Sequence, residues 1–245
     1  MIARPVRHGL ARALSRRGVC SRTQAARWIA DGRVAVDGRV VRDPEHPTTA
    51  RSRISIDGTP LGAAPTRVVV MLNKPRGLVT TAGDERGRDT VYACLDDPAL
   101  PWLAPVGRLD KASEGLLLLT NDPAWAARIT DPATGPSKTY HVQVDAVPSM
   151  EALAAMRAGV PSDGGLLSVT DACVIRTGGK TAWLEIVLDE GRNRQIRRVL
   201  DALDIRVLRL VRVAIGGLAL GTLAKGAWRV LSDGEIEGLG SGRSS

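Results

Sequence analysis

A carboxylate flanked by cations at the edge of an apolar run has either a structural partner or a chemical task. Asp110 is such a group. It stands in Gly107-Arg108-Leu109-Asp110-Lys111, which leads into Glu114-Gly115-Leu116-Leu117-Leu118-Leu119-Thr120-Asn121-Asp122, the signature of a buried strand. Arg108 and Lys111 set positive charge beside it, and the neighbouring glycine turns place it in a loop held by a sheet. A structural Asp–Arg pair accounts for these residues as well as a reaction centre does. A second block, Gly191-Arg192-Asn193-Arg194-Gln195-Ile196-Arg197-Arg198, suits a turn followed by a helix beginning near Asn193. Arg194 and Arg197 then share a helix face, where one guanidinium can meet a carboxylate and another a phosphate. A solvated basic helix fits the same residues.

Two further blocks are less specific. Leu72-Asn73-Lys74-Pro75-Arg76-Gly77-Leu78-Val79-Thr80 forms a shaped turn with Lys74 and Arg76 available to anions. It lacks the order of a phosphate loop and by itself reads as a surface turn. In Lys138-Thr139-Tyr140-His141-Val142, an alternating strand points Tyr140 and His141 to opposite faces. Tyr140 is one of two tyrosines in a chain without phenylalanine. It can stack on a nucleic-acid base, or fill a core with its hydroxyl satisfied. Trp28, Trp102, Trp125, Trp183 and Trp228 read as packing residues. Cys20, Cys94 and Cys173 lie far apart, as do His8, His46 and His141, so neither a metal site nor a redox pair is predicted, and a reducing cytoplasm is.

The elements that position these blocks follow from periodicity and turn chemistry. Residues 8–17 suit a short amphipathic helix ended by Gly18. Ser21 precedes Gln24 at capping-box spacing and opens a second helix carrying Ala25, Ala26 and Ile29, with Gly32 after it. Val34 and Val36 alternate into the hairpin turn Asp37-Gly38, and Val40 and Val41 return. Pro44, Pro47, Pro60 and Pro65, with only a short Ile54/Ile56 alternation, mark the edge of this module and a linker. Strands are predicted at 68–72, 140–145, 183–188 and 207–215, and helices at 150–158 and 195–203. Strands outnumber helices in no repeated strand–helix order, which predicts an α+β body with a mixed sheet and flanking helices. The expected boundaries are a module at 1–60, a linker at 61–66, a body at 67–239 and a fraying tail at 240–245.

Of 245 residues, 44% are apolar and 24% charged, as in ordinary folded soluble proteins. No run approaches the roughly 18 apolar residues of a membrane span, and no apolar signal core follows the basic start. The net charge of +8 is concentrated at the front. Residues 1–42 hold ten arginines against Asp31 and Asp37, and the remainder holds 24 basic and 24 acidic side chains. A basic module on a neutral body is an arm for polyanions, or else a solubilising face.

Together and in this order, the blocks resemble the small-subunit-type family of ribosomal RNA pseudouridine synthases, which includes several large-subunit enzymes. The resemblance covers almost the whole chain. The front is similar to the RNA-binding module first recognised in ribosomal protein S4, and residues 67 to about 237 are similar to the synthase domain. Segments 72–77, 107–122, 138–140 and 190–198 match successive family motifs, and 207–213 with Ile215-Gly216 resembles the closing strand. The implied fold is α+β: an S4-like helical and hairpin domain, then a synthase domain with a mixed, mainly antiparallel sheet and flanking helices. The resemblance makes Asp110 the catalytic aspartate, Tyr140 the aromatic residue against the target uracil and Arg197 the basic partner of the aspartate. Arg108 and Leu109 complete the loop. Expected RNA contacts are Arg12, Arg16, Arg17, Arg22, Arg27 and Arg33 in the module, and Lys74, Arg76, Arg192, Arg194 and Arg198 in the body. Two departures concern loop shape: Pro123-Ala124 follows Asp122 where relatives often carry glycine, and Ala202-Leu203-Asp204 lacks the usual helix-ending glycine.

The reaction so implied is site-specific isomerisation of uridine to pseudouridine in ribosomal RNA during ribosome biogenesis. A uridine leaves structured RNA for the pocket, at least cost where it is unpaired. Asp110 initiates cleavage of the N1–C1′ bond, by attack on the sugar or by removing a sugar proton to give a glycal. The uracil turns, C5 joins C1′, and C5 loses its proton. No organic cofactor or metal is required. The expected partner is ribosomal RNA, within a precursor of a ribosomal subunit, with no membrane, no obligate protein partner and monomeric action in the cytoplasm. The alternative is a non-catalytic RNA-binding assembly factor on the same fold, which leaves the Asp110–Tyr140–Arg197 set without a purpose. A nucleotide-dependent enzyme lacks its phosphate loop.

Overall fold

The basic front of the chain folds as two short helices and two Asp-Gly hairpins. In the computed structural model, which describes residues 8–62, 65–81, 87–162 and 165–240, the order is β1 (His8–Gly9), α1 (Leu10–Arg16), α2 (Arg22–Ala30), β2 (Val34–Val36), β3 (Arg39–Val40), β4 (Pro47–Thr48), β5 (Ile54–Ile56) and β6 (Thr59–Pro60). Ser21 caps α2 as its spacing predicts: Ser21 Oγ accepts from Gln24 N at 3.0 Å. Gly18, with φ +65°, ends the first helical segment. β1 pairs with β4, and the other strands lie in the order β3-β2-β5-β6. Leu10, Leu14, Ala25, Ile29, Val34 and Ile54 form the core.

Both hairpin turns put aspartate and glycine at positive φ, Asp37 and Gly38 at 50° and 83°, Asp57 and Gly58 at 49° and 79°, as type I′ turns demand. The second hairpin occupies the stretch read from sequence as module edge and linker. Pro60 hides it, since proline in a strand is tolerated only at an edge, and β6 is one. This first compact unit runs through residue 68 and takes in residues 97–104 and 120–123, so it is larger than the 1–60 stretch delimited by composition. Trp102 N donates to Gly18 O at 2.9 Å, and Asn121 Oδ1 accepts from Val68 N at 2.8 Å. Residues 1–7, most of the predicted tail and part of the predicted linker lie outside the described residues.

The second unit continues with β7 (Val69–Lys74), β8 (Ala104–Val106), β9 (Glu114–Thr120), α3 (Pro123–Thr130), β10 (Lys138–Val144), α4 (Met150–Ala158), β11 (Val160–Ser162), β12 (Gly165–Leu167), β13 (Asp171–Gly178), β14 (Thr181–Leu188), α5 (Gln195–Asp201), β15 (Val207–Ile215), β16 (Leu218–Ala219), β17 (Trp228–Val230) and α6 (Asp233–Gly240). Its main sheet has the order β13-β14-β10-β15-β9-β7-β17. Pairs from β13 to β15 are antiparallel, as is β7 with β17, while β15 runs parallel to β9. This is the mixed sheet with flanking helices that the sequence predicts, mainly antiparallel as the family resemblance implies. One core packs sheet residues such as Val142, Leu184 and Leu210 against α4 and α5; the other packs Met71, Leu116 and Leu118 against α3 and α6. Leu210 and Ile215 of β15 go to different cores, as strand alternation requires.

The two departures from family pattern have local solutions. Pro123 opens α3 at the first helical turn, where a missing N–H is harmless. Asp204, at φ 56°, supplies the positive-φ turn after α5 that a glycine otherwise gives. No helix among the described residues is long and apolar enough to cross a membrane.

Candidate active site

Within the second unit a cavity of about 390 Å³ opens where three walls meet, a size typical of small-molecule sites. The loop 107–113 between β8 and β9 contributes Arg108, Leu109, Asp110 and Ser113. The turn from β14 into α5 contributes Glu190, Arg192, Arg194, Gln195 and Arg197. The strands β10 and β15 contribute Lys138, Tyr140, Leu210 and Arg212. Tyr140 is half-buried and packs against the core shared with α4 and α5. Asp110, Tyr140 and Arg197, far apart in sequence, thus line one space.

The loop bearing Asp110 is clamped through its backbone by the segment after β7. Lys74 is fully buried, and its Nζ donates to Asp110 O at 3.2 Å, Ser113 O at 2.8 Å and Pro75 O at 3.1 Å. Gly77 N donates to Lys111 O at 2.8 Å. Thr80 Oγ1 donates to Leu109 O at 2.8 Å and accepts from Leu109 N at 3.3 Å. Leu109 is buried, so it anchors the loop while Asp110 stays 37% exposed in its side chain. This corrects two expectations. The 72–80 block is no free surface turn, and Lys74 cannot contact RNA: its ammonium is spent on carbonyls of the loop. Backbone acceptors carry no sequence mark, which is why neither Lys74 nor Thr80 was legible in these roles. Burial pushes the Lys74 ammonium down to about 8, against the opposing charges of Glu114 and Asp110.

The arginines differ from expectation in one respect. The guanidinium in ion-pair range of Asp110 is that of Arg194, with Nη1 at 3.7 Å from Oδ2, rather than that of Arg197. The reason is local: Arg194 takes a left-handed conformation, φ 50° and ψ 32°, so α5 begins at Gln195 and not near Asn193. Arg197 instead directs Nη2 to Ala112 O at 3.4 Å, and its buried Nε has no partner among the described residues. Burial lowers its pKa, as does the neighbouring charge of Arg194; Asp110 acts in the opposite sense and Arg76 adds to the lowering. Arg76 itself is exposed. The turn is stapled by Gln195, a buried residue whose role has no mark in the sequence beyond its place at the start of the helix. Its Oε1 accepts from Arg192 N at 3.0 Å, and its Nε2 donates to Ser168 O at 2.8 Å and Glu190 Oε1 at 3.0 Å. Arg192 pairs with Glu190 at 3.1 Å, and Arg198 Nε donates to Ser162 Oγ at 3.1 Å.

In the first unit the side chains of Arg12, Arg22 and Arg27 are exposed and make no hydrogen bond among the described residues. Arg16 is bonded to His8 at 2.8 Å, and Arg17 donates to Ser52 O at 3.3 Å. Arg33 is already occupied. Its fork grips Asp57 and its plane lies 5.2 Å over the Trp28 ring.

β9 is pinned beside the cavity by two devices. Glu114 is buried; desolvation alone would raise its pKa, but Arg209 at 2.8 Å and Lys225 at 2.6 Å hold it below the usual carboxylate range. Gly115, at φ +99°, lies so close to β15 that a Cβ would overlap the carbonyl oxygen of Arg212. Gly115→Ala is therefore expected to destabilise the fold by about 3 kcal/mol or more, combining backbone strain with a clash that no side chain can relieve. Denaturant midpoints measure this, and a midpoint equal to wild type would reject the close-packing argument.

Comparison with known proteins finds matches to both segments of the chain. The model of the RNA pseudouridylate synthase family matches residues 68–202, and that of the S4 domain matches residues 9–51. A protein of Aquifex aeolicus (strain VF5), described as an uncharacterized RNA pseudouridine synthase, is 38% identical over 229 residues, spanning 92% of this chain and 91% of its own. One of the same description from Rickettsia prowazekii is 32% identical over 228 residues, spanning 93% and 96%. A crystal structure of pseudouridylate synthase superposes with a TM-score of 0.66 at 28% identity, covering 96% of this chain and 99% of that one. With an S4 segment, a synthase segment and relatives matched along nearly their full length, the chain belongs to the RNA pseudouridylate synthase family, isomerases that act on RNA.

Proposed function

We propose that this cavity isomerises a specific uridine of ribosomal RNA, with Asp110 opening the N1–C1′ bond. The observation that carries this reading is the convergence of Asp110, Tyr140, Arg194 and Arg197 on one space large enough for a nucleoside. A uridine drawn from the RNA stacks on Tyr140. Asp110 supplies electrons to the sugar, at C1′ directly or by taking the C2′ proton, and the bond pair leaves with the uracil. The base turns, C5 bonds C1′, and C5 gives up its proton as N1 gains one. Arg194 and Arg197 orient the carboxylate, a task that the family resemblance assigns to Arg197 alone. Ribosomal RNA as substrate, met in the cytoplasm during subunit assembly, is supported by the basic front of the chain and the scattered cysteines.

Incubation with ribosomal RNA followed by single-base mapping of pseudouridine tests the reading. New pseudouridine at one position supports it; RNA binding without product supports an assembly factor instead.

The S4 unit is assigned to capture through phosphate. Replacing Arg12, Arg22 and Arg27 together with glutamine is expected to weaken binding about tenfold or more at moderate salt. The slope of log K against log salt should fall by roughly 0.7–0.9 for each phosphate that is no longer neutralised. Filter binding across a salt series checks this. An unchanged slope would reject phosphate pairing by these three arginines.

A further inference from the structure

Arg212 is 5% exposed and lies on β15 directly opposite Tyr140 on β10. Residues opposite one another in an antiparallel pair project on the same side of the sheet, and both line the cavity. Arg212 Nε donates to Leu116 O at 2.7 Å. On the other side Arg212 faces Gly115, whose missing side chain lets β9 and β15 close together. Nη2 of Arg212 is buried and has no hydrogen-bond partner among the described residues. Nε is thus fixed to the sheet, while the adjacent Nη2 remains a desolvated donor on a side chain that lines the same cavity as Tyr140. Such a donor is expensive to leave unmet, and a ligand that meets it explains its retention. Arg197 also has an unmet Nε, but its Nη2 is on Ala112 O and it lies in the field of Asp110, which ties it to the carboxylate.

Resting on the reading of Asp110 above, we propose that Arg212 Nη2 donates a hydrogen bond to a ring carbonyl of the target uracil and steadies the detached base. When the N1–C1′ bond breaks, its electron pair leaves with the uracil, and the charge spreads onto the carbonyl oxygens on either side of N3. A fixed cationic donor in a water-poor site stabilises that charge strongly. A half turn about the N3–C6 axis exchanges N1 with C5 and O2 with O4. One immobile donor therefore meets O2 before the turn and O4 after it. When C5 bonds C1′, the contribution of Asp110 to the sugar reverses; C5 loses its proton and N1 gains one, so atoms and charge balance. Arg212 is in this account a catalytic residue, because it touches the reacting base.

The test pairs protein variants with altered bases, using the 245-residue chain and the RNA whose uridine the mapping identifies. Arg212→Ala and Arg212→Lys are assayed in single turnover on that RNA, and on the same RNA carrying 2-thiouridine or 4-thiouridine at the target. Sulfur is the poorer acceptor. Arg212→Ala is expected to lower the rate about 100-fold with RNA affinity within about threefold, because the donor acts only as charge develops. Sulfur should slow the wild type about tenfold and slow the variants no further, since a hydrogen bond already removed cannot be removed twice. Arg212→Lys preserves charge and bulk, and the same non-additivity is expected of it, so the test survives a misfolded Ala variant. Effects that multiply in the folded variants would mean a structural arginine and overturn the proposal. Absence of product from the wild-type chain would remove the reading of the whole site and Arg212 with it, whereas product with multiplying effects removes Arg212 alone.

Discussion

Asp110→Asn is expected to abolish pseudouridine formation, a loss of about 1,000-fold or more in single-turnover rate, while RNA binding and stability stay near wild type. The amide keeps the shape of the carboxylate but can neither attack a sugar carbon nor take a proton from it. Little else should change. The ion pair with Arg194 is 3.7 Å long and involves an Asp110 side chain 37% exposed, so it contributes at most about 1 kcal/mol. The loop is held through the main chain of residue 110: its carbonyl accepts from Lys74 Nζ and from Ser113 N at 2.9 Å, and asparagine retains both. Phosphate capture is proposed above for arginines elsewhere. Thermal melts, RNA titration and single-turnover assays on one preparation separate the three effects. Retained activity would remove Asp110 from the chemistry, and a collapse of the melting temperature would make it a structural carboxylate.

What was legible in the sequence is what repeats at short range. The helix Met150–Ala158 and the strand Val207–Ile215 fall at the predicted positions, because their apolar spacing is set within the element itself. Asp110, Tyr140 and Arg197 stand out as candidates because each sits in a block of recognisable order, and the structure brings all three to one cavity. Long-range partners were not legible. Lys74 reads as an exposed cation beside Pro75, and its burial depends on three carbonyls, two of them more than 30 residues away. The Arg194 ion pair depends on one left-handed residue, a conformation that arginine gives no local reason to expect. Arg212 lay between the two cases. Alternation places it on the same side of β15 as the buried Leu210, so a cation on an inward face was visible, but its neighbour Tyr140 was not.

Lys74→Met is expected to produce the second large effect, and pH distinguishes its cause. The ammonium is the hub of the loop carrying Asp110, with one N–H for each of three carbonyls. Methionine fills similar volume and leaves those acceptors unmet, so the carboxylate loses its fixed position and the rate should drop about 100-fold. The wild-type protein should meet a milder form of this loss in alkali. Its Lys74 titrates at about 8, pushed down by burial, against roughly 10.4 in the unfolded chain. Between those values the unfolded state binds more protons than the folded one, so the contribution of this group to stability rises with pH. The neutral amine nonetheless has two N–H groups for three carbonyls. Activity should therefore fall as pH passes about 8 while this residue costs the fold nothing, a divergence that global alkaline unfolding cannot produce. Single-turnover rates and melting temperatures measured together from pH 6 to about 9.5 show it. In Lys74→Met the rate is low throughout and the alkaline limb due to this group is gone. An unchanged limb in that variant would assign the titration elsewhere and leave Lys74 without a hold on the loop.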